Sequence, residues 1–590
     1  MITKGLSVKG SVSYTSSQSK SSSIMKAKIY EIADSESSKA VAVRYYRTYD
    51  YANPIVAEDG SVTYPLLTEL RFPDAQIEDD RPVGTSYDNF SRHTRELYYE
   101  VALNYARNFK GHDVTALALF NRRVADSGSG SSVAFSSFEE AWVGRVTYNW
   151  KERYLAEANA SYTGSEKFAP GKRFGFFPSF SVGWRVTEEP FMKSLKQKWL
   201  NNLKLRYSYG MVGSDRGAGR FNYIQLYSSG GNAQFGYDQT VNFGPIYTEG
   251  SLAYPNATWE TAIKQNLGIE LTLVHNLRIA VDLFSEKRRG ILMSRNTVAP
   301  WVGAGLPSVN IGKTKNHGID VEMGWAAKAG TDFHYFAKLN FSTSENRVVF
   351  RDDPSKLDDY LKKAGKPIGY QTKYIVAGNL TSIDDIFNYS TVNITNAAQN
   401  KLDPGDLAYM DYNADGVIND KDMVPMKHLS YPVTTGSLSI GFNWKGLGFS
   451  AMLYAATGVY KEQLSQFLWD FPESNVKAQP KTLDRWTVAK AGMNGVSRPA
   501  AHLEKNHYNT KGSTYTYVDH TYARLKEVEL SYELPKKWLR AARISRLQVY
   551  VNGNNLFTFS GVDKRRDPET SGNDVYPLIK RYNTGLRLTF

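Results

Sequence analysis

The chain ends in the stretch Arg581-Tyr582-Asn583-Thr584-Gly585-Leu586-Arg587-Leu588-Thr589-Phe590. In an extended strand, one face of this stretch carries the large apolar side chains of Tyr582, Leu586, Leu588 and Phe590. The opposite face carries Asn583, Gly585, Arg587 and Thr589. This alternation is typical of a strand that lies between lipid and a watery lumen. Because a soluble sheet rarely ends on an exposed phenylalanine, these residues predict the closing strand of a transmembrane β-barrel.

The composition of the 590 residues is compatible with a barrel. No apolar run approaches the roughly 18 residues of a spanning helix, which excludes a helical inner-membrane protein. Alternating strands are only mildly hydrophobic on average, so the negative mean hydropathy of the chain is no obstacle. The 39 Tyr, 28 Phe and 11 Trp are enough for aromatic girdles at both membrane surfaces. Cysteine is absent, which excludes disulfides and thiolate metal sites.

The formal net charge of +13 raises the question of a nucleic-acid partner. Nucleic-acid binding requires clustered basic residues, and no compact Lys/Arg run interleaved with stacking aromatics is present. The charges are spread along alternating strands instead. We therefore expect no nucleic-acid partner and assign the charges to a lumen wall or to the lipopolysaccharide-facing rim.

Alternating segments recur in pairs joined by short turns. Such turns are predicted at 108–113, Lys151–Glu152, His275–Asn276, 328–330 and Lys445–Gly446. Counting back from Phe590 gives roughly sixteen to eighteen strands for an antiparallel barrel. The number depends on whether two segments form a pair of their own, namely Lys26–Ile32 and Val41–Tyr49. The first strand is predicted at Leu6–Tyr14.

One segment breaks the strand pattern. Phe191, Leu195 and Trp199 recur at four-residue spacing after Pro190. This spacing predicts a short amphipathic helix within 188–201, in a longer periplasmic turn.

Longer excursions separate the hairpins. Residues 50–93, 350–431 and 461–518 are polar, rich in Asp, Asn, Gly, Pro and Tyr, and without a steady period. Short turns that alternate with long loops are typical of a membrane barrel. The predicted fold is therefore all-β: one antiparallel transmembrane β-barrel over residues 1–590, with short periplasmic turns and long outer loops.

Four stretches resemble the C-terminal barrel of the SusC/RagA-like TonB-dependent transporters. They are Phe176–Arg185; Asn256 and Trp259-Glu260 with Asn266–Glu270; Tyr522–Lys526 with Ser531–Pro535; and Val549–Phe557. The resemblance implies an importer in the outer membrane of a Gram-negative cell, with a barrel of 22 strands in the family. It also implies a plug in the lumen, a TonB-box peptide and a SusD-like surface lipoprotein as partner. The implied substrates are oligosaccharides or peptides, with glycans slightly favoured.

The chain departs from that family pattern at its front. No signal peptide, TonB box, plug or first few strands can be recognised in it, so we expect an N-terminally truncated barrel. Three functions then remain open: the barrel part of a nutrient importer, a plugless passive pore or structural barrel, and a non-functional remnant. An unmatched edge strand would make an open barrel prone to aggregation.

One motif has the spacing of a calcium loop. Its possible oxygen ligands are Asp411, Asn413, Asp415, the backbone carbonyl of Val417, Asn419 and Asp422. Gly416 stands where the loop turns sharply, and Ile418 is an anchor-type residue. Position 12 is Asp rather than the bidentate Glu of strong sites, so any Ca²⁺ affinity should be modest. The alternative is a metal-free turn whose carboxylates accept backbone amides.

No catalytic constellation is recognisable, so we expect no enzyme. The sequence has neither a Gly-x-Ser-x-Gly elbow nor a His-Glu-x-x-His helix, and the phosphate-loop-like Gly312-Lys313-Thr314 has Pro307 where the first glycine belongs. Loop aromatics are better candidates, because they can stack on sugars or peptide side chains. They are Tyr360, Tyr370, Tyr374, Trp469, Phe471, Tyr508, Tyr515 and Tyr517. For any single one of them, packing within the loops is the stronger expectation.

Overall fold

The computed structural model describes residues 4–32, 39–44, 53–57, 59–63, 82–129, 135–235, 241–274, 276–298, 300–394, 402–463, 468–469, 480–491, 498–502, 507–539, 544–564, 566–570 and 578–590. Seventeen strands in these residues belong to one sheet, within the sixteen to eighteen predicted. They are β1 Leu6–Ile32, β2 Lys39–Arg44, β3 Pro82–Phe109, β4 His112–Ser129, β5 Ser137–Trp150, β6 Tyr154–Ser165, β7 Phe174–Arg185, β8 Leu200–Ser214, β9 Glu260–Leu273, β10 Leu277–Met293, β11 Val309–Ala329, β12 Phe333–Phe350, β13 Thr434–Trp444, β14 Leu447–Thr457, β15 Tyr522–Glu533, β16 Arg546–Ser560 and β17 Arg581–Thr589.

The chain falls into two compact units. The larger consists of residues 1–8, 103–119 and 142–590, and the smaller of residues 9–102 and 120–141. Within the larger unit, every strand from β6 to β17 pairs antiparallel with the next one along the chain. This up-and-down order is the antiparallel sheet that the sequence predicts.

Two of the predicted tight turns are confirmed by their backbone angles, whereas His275 of the predicted turn His275–Asn276 lies outside the described residues. Lys151 and Glu152 have positive φ angles of 50° and 57°, and Lys445 and Gly446 have 47° and 89°. Two successive residues with positive φ form the hairpin turn whose twist matches that of the flanking strands. Glycine tolerates such angles without strain, whereas the lysines adopt them because the strand registers on both sides fix the turn.

In the smaller unit, two predictions about β1 have different outcomes. The pairing that the sequence left open is present, because Ala27–Ile32 of β1 pairs antiparallel with Lys39–Arg44 of β2. Residues 45–49 of the predicted partner lie outside the described residues. The separation of Leu6–Tyr14 from Lys26–Ile32 is wrong, since both belong to one strand. The Ser/Thr-rich residues between them include no Gly or Pro that would turn the chain.

The predicted excursion over 50–93 is also partly wrong, because β3 already begins at Pro82. Residues 82–93 show no alternation of apolar and polar side chains in the sequence, so periodicity gives no strand signal there. The short hairpin Ile55–Val56 with Val62–Thr63 lies earlier in the same excursion.

The helical segment is confirmed in a shorter form. It consists of the 3-10 helices Val186–Glu188 and Pro190–Met192 followed by the α-helix Lys193–Lys198. Strand β8 already begins at Leu200, so the helical segment ends before residue 201, where the sequence predicts its end. None of the helices in the described part of the chain is long and apolar enough to cross a bilayer.

Long connections after β8, β12 and β14 have secondary structure of their own. Antiparallel pairs join Tyr227–Phe235 to Val241–Glu249, Tyr370–Lys373 to Val424–Leu429, Val376–Asn379 to Leu407–Tyr409, and Tyr460–Glu462 to Tyr517–Asp519. Thr391–Val392 runs parallel to Val417–Ile418. The remaining helices are Pro300–Val302, Ile383–Phe387, Asp420–Asp422, Pro480–Asp484, Val488–Lys490, Tyr508–Thr510 and Lys536–Leu539.

Candidate functional site

The larger unit exposes an apolar face on its sheet. Alternate residues of β7 are large and apolar, and Phe176, Phe180 and Val182 are 60%, 48% and 52% exposed. On β17, the predicted closing residues Tyr582, Leu586, Leu588 and Phe590 are all exposed as well. A soluble monomer rarely exposes so much contiguous apolar surface, whereas a lipid-facing strand requires it.

The opposite face of the same strands is polar and charged. The guanidinium of Arg206 on β8 donates to Glu270 Oε1 at 3.0 Å and to Asp282 Oδ2 at 2.7 Å. Its side chain crosses Gly268 on β9, where an added Cβ would lie 2.6 Å from the guanidinium carbon. Glycine at that position therefore leaves space for an ion pair that spans three strands.

This polar face borders a cavity of about 930 Å³. Its lining includes Glu157, Asn159, Ser181, Ser208, Asn266, Glu286 and Asp320. Several of these groups are held by neighbours across the strands: Arg145 binds Glu157 at 2.8 Å, and Ser342 donates to Asp320 at 2.6 Å. Phe177, Trp259 and Phe284 line the cavity as well, so its wall combines fixed charges and hydroxyl groups with aromatic surface. Such a wall suits the passage of hydrated, polar solutes.

The connections after β12 and β14 pack around a core of their own. Its fully buried members include Tyr374, Leu407, Tyr409, Ile418 and Tyr508. The rings of Tyr374 and Tyr409 stack with centroids 5.0 Å apart, and the ring of Tyr508 lies edge-on to Tyr409 at 5.6 Å. Burial raises the pKa of all three phenols well above the ordinary range. We name this assembly the loop core.

The predicted substrate-binding aromatics divide by exposure. Tyr374 and Tyr508 are 1% and 0% exposed, so their rings have no surface for a ligand in this conformation. Tyr360, Tyr370, Trp469, Tyr515 and Tyr517 are partly exposed. Phe471 lies outside the described residues. For the partly exposed group, contact with a substrate remains a prediction.

The calcium-like loop is tied to the loop core. Ile418, the anchor residue, is completely buried, and the hydroxyl of Tyr374 donates to Asp420 Oδ1 at 3.1 Å. Asp422 is also completely buried, and its carboxylate accepts the amides of Tyr412 and Asn419 at 2.8 Å each.

The other oxygens of this loop accept backbone amides too. Asp411 Oδ2 accepts the amide of Gly416 at 2.8 Å, and Asp415 Oδ1 accepts that of Val417 at 2.9 Å. The side chain of Asn413 accepts the amide of Asp415 at 3.1 Å. These are the hydrogen bonds of an Asx-rich turn, which needs no metal. Calcium binding by the loop remains a prediction.

A second cluster of possible metal ligands lies beside the loop core. One ligand atom from each of Asp406, His502 and His507 falls within 4.8 Å of the other two. No other group of three His, Cys, Asp or Glu side chains converges in this way within the described residues. Local spacing could not reveal the cluster, because Asp406 is separated from His502 by 96 residues.

The loops are joined to the sheet by a buried ionic network. Arg524 on β15 is 1% exposed and contacts Asp567 at 2.6 Å and Glu569 at 3.2 Å. Next to it, His520 Nδ1 donates to the carbonyl of Pro568 at 3.2 Å. Burial lowers the pKa of His520 to about 4, and the nearby cations Arg566 and Lys461 act in the same direction. The side chain is therefore neutral at physiological pH.

Comparison with known proteins identifies the architecture. The sequence model of the family described as "TonB dependent receptor-like, beta-barrel" matches residues 7–556. TonB-dependent receptor P3 of Formosa agariphila is 23% identical over 95% of this chain and 59% of its own length. TonB-dependent receptor SusC of Bacteroides thetaiotaomicron is 26% identical over 76% of this chain and 43% of its own length.

Solved structures show the same fold. The structure of the RagAB peptide transporter is similar over 100% of this chain and 60% of the compared chain, with a TM-score of 0.67 and 16% identity. The RagAB peptide importer in its open-open state matches with a TM-score of 0.68 and 17% identity, over 59% of its chain.

These similarities extend over most of this chain but over only part of its relatives. The chain spans about three fifths of the length of the first of these relatives, 59%. The family model covers nearly all of the chain, and the two-faced sheet has the lipid-facing and lumen-facing surfaces of a membrane barrel. The chain therefore belongs to the TonB-dependent receptor-like β-barrel family of the outer membrane, and within it resembles the SusC/RagA-like transporters.

Proposed function

We propose that this chain forms the barrel part of an outer-membrane nutrient importer that takes up oligosaccharides or peptides. The observation that carries the proposal is the sheet itself, apolar and exposed on one face, and charged on the other where it borders the cavity of about 930 Å³. This arrangement supports a path for polar solutes through lipid. Transport rather than catalysis is the proposed role.

The proposed partners follow from the family. A SusD-like lipoprotein would close the outer loops over the substrate, and the TonB system would supply energy through a plug. The likeness to the RagAB peptide transporter supports peptides as one substrate class. The resemblance to the SusC/RagA-like transporters implies oligosaccharides or peptides as the substrate class.

The test is uptake in the native host, with the gene kept in its chromosomal context. Cells with and without the gene receive labelled oligosaccharides and labelled peptides, and the uptake of each is followed with and without a protonophore. We expect one of the two substrate classes to be lost on deletion and to require an energised inner membrane. Uptake that survives the protonophore would indicate a passive pore. Uptake that survives deletion would exclude an import role for this chain.

The loop aromatics allow a matched pair of variants. Tyr360 is partly exposed, and its ring packs at an angle of 67° to that of Tyr412, with the ring centroids 4.8 Å apart. Phe387 is 83% exposed on the helix Ile383–Phe387 of the same connection. We expect Tyr360→Ala to reduce uptake of the substrate and Phe387→Ala to leave it unchanged. Equal effects of both variants would remove Tyr360 from the proposed binding surface.

A further inference from the structure

Two long connections of this chain converge on one buried carboxylate. Asp406 lies immediately before the short strand Leu407–Tyr409, in the connection after β12. His507 immediately precedes the 3-10 helix Tyr508–Thr510, in the connection after β14. The side chain of Asp406 is 0% exposed, that of His507 is 5% exposed, and that of His502 is 13% exposed. A titratable set of this kind, buried between two loops, has no part in the transport path described above.

The geometry of the two imidazoles is well defined. Their rings stack in parallel, with centroids 3.7 Å apart and planes 8° apart. His502 Nε2 lies 2.5 Å from Asp406 Oδ1, and His507 Nε2 lies 3.8 Å from Asp406 Oδ2. The same ring atom of each histidine therefore faces the same carboxylate.

The backbone that holds these groups is fixed by the loop core. The hydroxyl of Tyr508 donates to the carbonyl of Leu407 at 2.9 Å, and that of Tyr409 donates to the carbonyl of Tyr508 at 3.0 Å. A backbone hydrogen bond joins the segment that carries His502 to the segment that carries Asp406. In it, the amide of Ala500 donates to the carbonyl of Gly405 at 2.8 Å. The backbone positions of the three residues are therefore fixed, and one imidazole must turn out of the stack for both Nε2 atoms to point to one ion.

We propose that Asp406, His502 and His507 form a zinc site that cross-links the two connections. Two imidazole nitrogens and one carboxylate oxygen are a donor set that Zn²⁺ uses in proteins, with a fourth position left for water. Calcium and magnesium prefer sites made entirely of oxygen, so the imidazoles select against them. The partly exposed ring of His502 provides the entry path that a buried site requires.

Second-shell contacts orient the carboxylate. The side-chain amide of Asn509 donates to Asp406 Oδ1 at 2.7 Å, and the amide of Asp403 donates to Oδ2 at 2.8 Å. Hydrogen bonds of this kind hold a ligating carboxylate in position.

The test is zinc binding by the full chain, folded in detergent micelles and first stripped of metal with a chelator. Zn²⁺ alone is titrated by calorimetry and in competition with a chromophoric chelator. We expect one Zn²⁺ per chain, not displaced by an equal concentration of Ca²⁺. His502→Ala should weaken binding by at least ~10-fold, since loss of even a second-shell partner typically costs that much.

A second histidine provides the control. His428 lies in the connection after β12 and stacks on Tyr460 at 4.3 Å, outside the cluster. His428→Ala should bind zinc as the parent chain does. Asp406→Asn, which keeps the size of the buried side chain, should lose zinc while the chain still folds. Absence of stoichiometric binding, equal binding by His502→Ala, or displacement by Ca²⁺ would each overturn the proposal.

Discussion

His520 illustrates, at the scale of single residues, how burial sets the charge of a side chain in this protein. It is 1% exposed, and it donates a hydrogen bond to Pro568 in the loop that follows β16. Burial and the neighbouring cations lower its pKa to about 4, whereas an unfolded chain would hold it near the ordinary value of about 6.5. The folded protein therefore excludes a proton that the unfolded chain takes up.

We predict that this difference makes stability depend on pH between about 6.5 and 4. Above that window both states are neutral at this residue and stability is unaffected. As the pH falls through it, only the unfolded chain is protonated, so the free energy of unfolding decreases, by no more than about 3 kcal/mol. The measurement is denaturant unfolding in micelles at the two ends of the window.

His520→Asn provides the comparison for that measurement, because its amide can still donate to Pro568 but does not titrate. The variant should lose less stability than the parent chain between the two pH values, while carboxylates elsewhere contribute equally to both. Identical losses would show that His520 is not the group responsible.

At the scale of elements, the loop at 411–422 poses the question of calcium. Its ligand spacing suits Ca²⁺, yet its carboxylates already accept hydrogen bonds from backbone amides. Asp422 accepts those of Tyr412 and Asn419, and Asp411 accepts that of Gly416. A calcium ion would then bind only to the oxygen lone pairs that those hydrogen bonds leave free. The two interpretations differ in whether a hard cation changes the stability of the loop.

We predict weak calcium binding, with a dissociation constant of about 10⁻⁴ to 10⁻³ M, in the range of extracellular modules with few charged ligands. Asp415→Ala removes an exposed ligand and should abolish binding, measured by calorimetry on the full chain. Asp385→Ala, in the capping box of the helix Ile383–Phe387, removes a carboxylate of the same connection and should leave binding intact. A parent chain that shows no heat at concentrations tenfold above that range would establish the metal-free turn.

The elements that sequence reasoning found are those with a strong local signal. Hairpins such as β13–β14 combine alternation with a turn at Lys445–Gly446, and both features are local. The first part of β3 and the continuity of β1 were missed, because residues 82–93 and 15–25 show no alternation of apolar and polar side chains. The loop core and the cluster of Asp406, His502 and His507 could not be predicted, since their members are brought together only by the folded connections.

At the scale of the whole molecule, the alternation of apolar and polar residues is best explained by the different surroundings of the two faces of the sheet. The face with Phe180 and Val182 would be unstable in water, and the face with Arg206 and Asp282 would be unstable in lipid. Only an environment with lipid on one side and water on the other satisfies both faces at once. Strands supply that arrangement without any long apolar run.

Neighbouring residues of β7 allow this two-solvent interpretation to be tested in one strand. Phe180 is 48% exposed on the apolar face, and its strand neighbour Ser181 belongs to the opposite face, where it pairs with Ser208 of β8. We predict that Phe180→Arg lowers the free energy of unfolding in lipid vesicles by about 2–4 kcal/mol, the cost of a charge at the lipid-facing midplane of a barrel. Ser181→Arg places the same side chain against water and should cost less than about 1 kcal/mol. Because the two variants differ by one position along the strand, membrane depth is nearly the same for both, and similar losses would refute the assignment of lipid to one face and water to the other.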